Sequence, residues 1–183
     1  MAAPSPRTHL GWHAGWLGCS VPGMNESGAN GRGEVVEINI SPEHERLPEP
    51  VDRVVAVPGR GLEGDRYFIA EGDPVPNRQE DLTLIATEAL EGLREREGIE
   101  LTAAESRRNV ATRGIDLNAL VGKRFRVGEV ECEGIVLCEP CSDLQAQTKP
   151  GVLKGLVHQA GLNAAILSGG EIAVGDAVAE IEA

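Results

Sequence analysis

Two cysteines three residues apart, Cys138 and Cys141, are the residues of this sequence whose type and spacing most directly suggest chemistry. The polar segment 142–148 follows them and could open a helix, with its cap near Ser142 or Asp143. Unpaired backbone N–H groups at the start of such a helix would favour the thiolate form of Cys141 over the thiol. The pattern therefore predicts that Cys141 is a nucleophile or a metal ligand.

Three other interpretations of this cysteine pair stay open: a buried pair of small hydrophobic residues, a redox disulfide, or half of a zinc site. A zinc site would need two further ligands, and only Cys132 and His158 lie nearby, at irregular spacing. A thioredoxin-like motif would need a βαβ context, which the surrounding sequence does not supply. Cys138 continues an apolar strand, so we expect burial to make it the less reactive thiol.

Two short segments, 59–66 and 105–109, concentrate arginine within an acidic protein. The first also contains three glycines, so its backbone can approach a ligand closely while guanidinium groups bind an oxyanion or a phosphate. Tight turns in which Asp65 pairs with an arginine, or solvated surface, would explain the same residues without a function. The candidate anion-binding residues are Arg60, Arg66, Arg107 and Arg108.

Short strands must position these residues. Alternating or continuous apolar residues predict strands at 36–40, 54–57, 82–86, 109–112, 124–127, 130–137, 162–167 and 177–181. One helix is predicted from Thr87, which can cap it, to Gly98, which can terminate it. Many short strands with glycine at the corners favour a mainly β fold, a compact barrel with a few peripheral helices, over a doubly wound α/β fold.

An ordered series of motifs runs through the same region. It comprises GLEGDR at 61–66, LTLI at 82–85, RRNV at 107–110, GIDL at 114–117, LVG at 120–122, FRVG at 125–128, EPC at 139–141, GG at 169–170 and GD at 175–176. This series covers roughly residues 34 to 182 and resembles the MOSC domain. That domain is the C-terminal module of molybdenum cofactor sulfurases, and it also occurs alone in small bacterial proteins.

The resemblance implies a MOSC-type β-barrel that binds the molybdopterin form of the molybdenum cofactor. Cys141 matches the motif cysteine, which the resemblance implies either carries sulfane sulfur or ligates molybdenum. Arg108 and Asn109 match a polar pair near the cofactor in relatives. The signature turn is matched by Gly64, Asp65 and Arg66.

The sequence departs from the family pattern in two respects. Tyr67 stands where family members commonly have histidine, which affects any proton-transfer role at that position. The chain also has no room for the N-terminal barrel of amidoxime-reducing relatives or for the aminotransferase-like domain of full-length sulfurases. We therefore expect neither bound pyridoxal phosphate nor an autonomous cysteine desulfurase activity.

Length and composition exclude several other classes. The 183 residues suit one domain, with a leader over 1–33 whose Gly, Pro, Ser and Asn content is typical of disorder, and a MOSC domain over 34–183. A net charge of −12 and 3% aromatic residues argue against nucleic-acid binding. No apolar run approaches the roughly 20 residues that span a membrane. Four cysteines without a disulfide framework favour the cytoplasm.

Together these features predict a cytoplasmic protein that binds the molybdenum cofactor and acts through Cys141, in sulfur relay or in molybdenum ligation. Two alternatives stay open: a small molybdenum-dependent reductase of N-hydroxylated compounds, and a non-catalytic cofactor carrier or adaptor. A cysteine desulfurase or a molybdoenzyme is the expected type of protein partner. Whether the chain is an enzyme is left open at this stage.

Overall fold

The computed structural model describes residues 31–75 and 80–182, and strands dominate them. The strands are β1 (Arg32–Ile40), β2 (Glu49–Val51), β3 (Arg53–Val57), β4 (Gly61–Leu62), β5 (Leu82–Ala86), β6 (Val110–Arg113), β7 (Arg124–Val127), β8 (Val130–Leu137), β9 (Leu162–Ile166), β10 (Gly170–Ala173) and β11 (Ala177–Glu180). The helices are α1 (Thr87–Glu97), α2 (Ala103–Ser106), α3 (Ser142–Gln147) and α4 (Val152–Gly155), with a 3-10 turn at Asn118–Leu120.

Seven strands form a closed barrel in the order β1, β11, β7, β8, β9, β5 and β6, with β6 returning to β1. Only β5 and β6 pair in parallel; the other neighbours are antiparallel. Strand β2 extends the barrel wall beside β1, and β10, β3 and β4 form a small second sheet. The prediction of a mainly β, MOSC-type barrel with a few peripheral helices is confirmed.

Apolar side chains pack on both faces of the barrel wall at β5 and β6, one set inside the barrel and one under the helices. In β5, Leu84 points into the barrel, whereas the next residue, Ile85, packs under the helices. Val110 and Ala111 of β6 divide between the two sides in the same way. Because successive side chains of a strand point to opposite faces, β5 and β6 need apolar residues on both sides where helices cover them.

Local capping differs from the prediction at one end of α1. Gly98 ends the helix in the left-handed conformation, with φ of 67°, as expected. Thr87, however, is the first helical residue and not the cap, because Ala86 occupies that position. The Thr87 hydroxyl instead donates a hydrogen bond to the carbonyl of Thr112, at 3.1 Å. The hydroxyl thus fastens α1 to β6.

The first described strand begins at Arg32, so the last residues of the predicted leader already belong to the barrel wall. The rest of that leader, residues 1–30, lies outside the described part of the chain. Within residues 31–75 and 80–182, every helix is too short or too polar to cross a bilayer.

Candidate functional site

A cavity of about 410 Å³ opens where the turn after β4, the start of β6 and the loop after β8 converge. Six of the residues predicted from the sequence line it together: Asp65, Arg66, Arg107, Arg108, Asn109 and Cys141. Arg60 and Gly64 are not among the lining residues. Motifs that are distant in the sequence therefore meet at one site.

Asp65 and Asn109 form the buried polar centre of this site. The Asn109 amide donates to Asp65 Oδ2 at 3.2 Å, and its Oδ1 accepts the hydroxyl hydrogen of Thr83 at 2.8 Å. Asp65 Oδ1 accepts the backbone N–H of Tyr67 at 3.1 Å. Asp65 and Asn109 are each 8% exposed, so these bonds are protected from water. They tie the signature turn to β5 and β6, which fixes the neighbouring arginines.

Gly64 and Arg60 shape the turn from outside the cavity. Gly64 has φ of 81°, a left-handed conformation that favours glycine. Arg60 Nη1 donates to the carbonyls of Ile69, at 3.1 Å, and of Ala70. Its guanidinium therefore braces the segment that follows the signature turn.

Helix α2 sets the position of Arg107. A capping box begins the helix: Thr102 Oγ1 accepts the N–H of Glu105 at 3.1 Å, and the Glu105 carboxylate accepts the N–H of Thr102 at 2.8 Å. The helix ends at Arg107, whose φ of 61° is left-handed. The Arg107 guanidinium donates to the carbonyls of His44 and, at 3.2 Å, of Arg46.

The remaining two arginines differ in how their donors are used. Arg108 donates from Nε to the carbonyl of Ala160 at 2.9 Å and from Nη2 to that of Cys138 at 3.3 Å. The Arg66 side chain is only 6% exposed, yet its Nε and Nη1 make no hydrogen bond. Its Nη1 lies 3.7 Å from Asp65 Oδ2, and its guanidinium lies 4.7 Å from the centre of the Tyr67 ring.

Two cations therefore share one partly buried space. Burial lowers the pKa of Arg107, and the neighbouring charge of Arg66 lowers it further, while Tyr67 and Asp65 act in the opposite direction. An anion placed between the two guanidinium groups would relieve their repulsion and receive charge-assisted hydrogen bonds. This end of the cavity is suited to a phosphate or another oxyanion.

Cys141 lies at another part of the cavity wall. It is itself the cap of α3, the position that the sequence assigned to Ser142 or Asp143, and its Sγ accepts the N–H of Leu144 at 3.4 Å. Cys141 is exposed, whereas Cys138 is half-buried in the same cavity. Burial raises the pKa of the Cys138 thiol, and the charge of Arg108 only partly opposes this effect.

The alternative roles for the cysteines fit the structure poorly. Cys138 and Cys141 are both free thiols and form no disulfide with each other. Burial, with the charge of Asp81, raises the pKa of Cys132 to about 12. The imidazole of His158 contacts Glu139, with Nδ1 2.7 Å from Oε1. Within the described residues, no three side chains of metal-binding type lie together.

His44 and Thr83 also line the cavity and were not predicted to do so. The His44 ring meets the Tyr67 ring edge-to-face, with centroids 4.9 Å apart. His44 lies in the loop between β1 and β2, where no motif marks it. Thr83 could have been identified, because it is the one polar residue within the motif of β5.

Comparison with known proteins identifies the family. The model of the MOSC domain matches residues 72–179, more than half of the chain. This chain belongs to the MOSC domain family. Curated protein sequences give no match to it. The family motifs at Arg108, Asn109 and Cys141 fall within the matched range, whereas the signature turn precedes it.

Solved structures show the same MOSC fold. The YuaD protein from Bacillus subtilis superimposes with a TM-score of 0.64 at 17% identity, over 80% of this chain and 94% of that one. YiiM from Geobacillus stearothermophilus superimposes with a TM-score of 0.63 at 19% identity, over 82% of this chain and 75% of that one. YiiM from Escherichia coli gives 0.62 at 16% identity, over 83% and 70%. At these identities the likeness concerns the fold alone.

Proposed function

We propose that this MOSC protein binds a molybdenum cofactor of the molybdopterin type in the cavity. We further propose that Cys141 either ligates the molybdenum or carries sulfane sulfur. The main supporting observation is Arg66, whose buried guanidinium keeps two nitrogens without hydrogen-bond partners beside the cavity. An unsatisfied buried cation is costly unless a ligand supplies the missing acceptors. The family association with this cofactor supports the same reading.

The donor set fits such a group at both ends. Arg66, with Arg107 and Arg108 beside it, would hold the anionic phosphate, and the soft sulfur of Cys141 suits a transition metal. The cofactor, when bound, would supply a centre that exchanges electrons in pairs. Asp65 and Asn109 would contribute indirectly, because their hydrogen bonds hold the turn that carries Arg66.

The same cysteine suits sulfur relay, since a thiolate is also the nucleophile that accepts sulfane sulfur. A cysteine desulfurase as donor, or a molybdoenzyme as acceptor, would then be the protein partner. We place the protein in the reducing cytoplasm, a proposal supported by Cys132, Cys138 and Cys141, all of which are free thiols.

The test is to purify the protein from a molybdate-replete host and to measure bound molybdenum and pterin fluorescence. A folded sample that contains neither would refute the proposal. Replacing Cys141 with serine then separates the roles. A carrier that holds the cofactor only through its arginines would retain metal and pterin, whereas a protein that ligates metal or relays sulfur would lose metal or persulfide.

A further inference from the structure

The loop that carries the two cysteines is attached to the segment just before β9. The backbone N–H of Cys138 donates to the carbonyl of Gly161 at 2.8 Å. Arg108 then joins the same two segments, because its guanidinium donates both to the carbonyl of Ala160 and to that of Cys138. Two of its three nitrogens are therefore used on backbone groups at the base of the cysteine loop.

A second connection lies one residue further along this loop. Glu139 accepts the backbone N–H of His158 at 2.9 Å through Oε2, and its Oε1 lies 2.7 Å from Nδ1 of the His158 ring. His158 has φ of 60°, a left-handed conformation that is uncommon for residues other than glycine and asparagine. The side chain of Asn118 donates to the carbonyl of His158 at 2.8 Å. The strained residue is thus held from two directions.

We propose that Arg108, Glu139 and His158 form a clamp that positions Cys141, and that this clamp controls the reactivity of the Cys141 sulfur. Its relevance to metal ligation or sulfur transfer rests on the proposed function, but the clamp itself is a property of the cofactor-free protein. Arg108 would act here as a positioning residue, through the carbonyl of Cys138, in addition to any contact that it makes with a phosphate.

The reasoning is geometric. Only two residues separate Cys138 from Cys141, so fixing Cys138 and Glu139 restricts where the sulfur can lie. A displacement of about 1 Å at a reacting atom is enough to lower a rate substantially. Release of the loop would also disturb the hydrogen bond from the Leu144 N–H to the Cys141 sulfur, at 3.4 Å, which helps to orient that sulfur at the start of α3.

The test measures the rate at which iodoacetamide alkylates Cys141 at pH 7 in cofactor-free protein, with the labelled site located by peptide mapping. Arg108→Lys removes the bridge between two carbonyls, because an ammonium cannot reproduce the planar fork. His158→Gly removes the ring while glycine adopts the left-handed backbone without strain. We expect each change to lower the rate about threefold or more, the size typical of one lost hydrogen bond.

His158→Asn serves as the conservative rescue, because asparagine tolerates the left-handed region and can donate to Glu139 from its amide. It should keep the rate near that of the wild type. Arg126→Lys is the matched control, since Arg126 is an exposed arginine paired with Glu131 on the barrel wall. Melting temperatures recorded for all variants identify any that fail to fold.

The clamp is supported only if Arg108→Lys and His158→Gly both slow alkylation in folded protein while Arg126→Lys does not. Unchanged rates in either clamp variant would overturn it and leave Arg108 as a ligand contact alone. Because no cofactor is present in this assay, its result does not depend on whether the protein binds molybdopterin. The two proposals can therefore fail separately.

Discussion

Replacing Arg66 with methionine should stabilise the cofactor-free protein while abolishing its capacity to retain the cofactor. Arg66 Nε and Nη1 are buried without hydrogen-bond partners, and each unsatisfied group costs about 1–3 kcal/mol. Methionine is unbranched and apolar, so it can fill most of the same space without that penalty. With the cofactor bound, arginine should instead be favoured over methionine at position 66, because the bound anion would supply the hydrogen-bond acceptors that those nitrogens lack.

The loss of the Arg66 charge must be weighed against this gain. Its ion pair with Asp65 is long, at 3.7 Å, and Asp65 keeps three N–H donors, from Ser41 at 3.4 Å, Tyr67 at 3.1 Å and Asn109 at 3.2 Å. These donors replace hydrogen bonds that a buried carboxylate has lost with water. The contact of Arg66 with the Tyr67 ring adds about 1 kcal/mol to the loss. Removing one partner of a buried ion pair is destabilising when the other charge is left uncompensated. Because three N–H donors compensate Asp65, the net change should still be a gain of about 1–3 kcal/mol.

The assay is urea unfolding of cofactor-free wild-type and Arg66→Met protein, followed by far-UV circular dichroism, with pterin and molybdenum content measured on matched preparations. A higher unfolding midpoint with an unchanged slope would show that stability has risen. If the variant is instead less stable than the wild type, the guanidinium is satisfied in solution and the argument for an anion site at Arg66 fails.

Three further results follow from the same contacts. Limiting iodoacetamide at pH 7 should label Cys141 before Cys138, because Cys141 is exposed whereas burial raises the pKa of Cys138. Peptide mapping that found the first label on Cys138 would contradict this prediction. Asn109→Ala should lower the free energy of unfolding by about 1–3 kcal/mol, since it removes hydrogen bonds to buried Asp65 and to β5, a loss that denaturant titration would detect. Gly161→Ala should lower the free energy of unfolding by about 3 kcal/mol or more, because Gly161 has φ of 122° and a Cβ there would lie 2.0 Å from the carbonyl oxygen of Leu84 in β5. A melting temperature close to that of the wild type would refute this prediction.

The strands of the barrel could largely be predicted from the sequence because their pattern is local. Apolar alternation placed β7 and β8 at their observed bounds, and it placed β5 at Leu82–Ala86. The cysteine loop also lay where the apolar stretch of β8 ended. Residue type and spacing were sufficient here, because a strand with a buried face imposes a two-residue period.

The assignment of individual donors could not be predicted, because it depends on residues far apart in the sequence. Arg107 and Arg108 have the same side chain and adjacent positions, yet one donates to the loop after β1 and the other to the segment before β9. No local pattern shows that Arg66 keeps nitrogens without hydrogen-bond partners while Arg107 and Arg108 donate to backbone carbonyls. The cap of α1 was wrong for a related reason: Ala86, at the end of β5, holds the cap position, and the Thr87 hydroxyl donates to the carbonyl of Thr112 on β6.

Closure of the barrel has a kinetic consequence. The barrel closes where β1 pairs with β11, with Arg32 opposite Ala179, so the two strands come from opposite ends of the described sequence. Bringing such distant segments together carries a large loop-closure entropy, which slows folding in proteins rich in long-range contacts. Until that pairing forms, β1 and β11 present unpaired edges that can recruit strands from other chains. A nearly complete barrel would therefore be the species most prone to aggregation during refolding, and dilution should raise the yield of native protein.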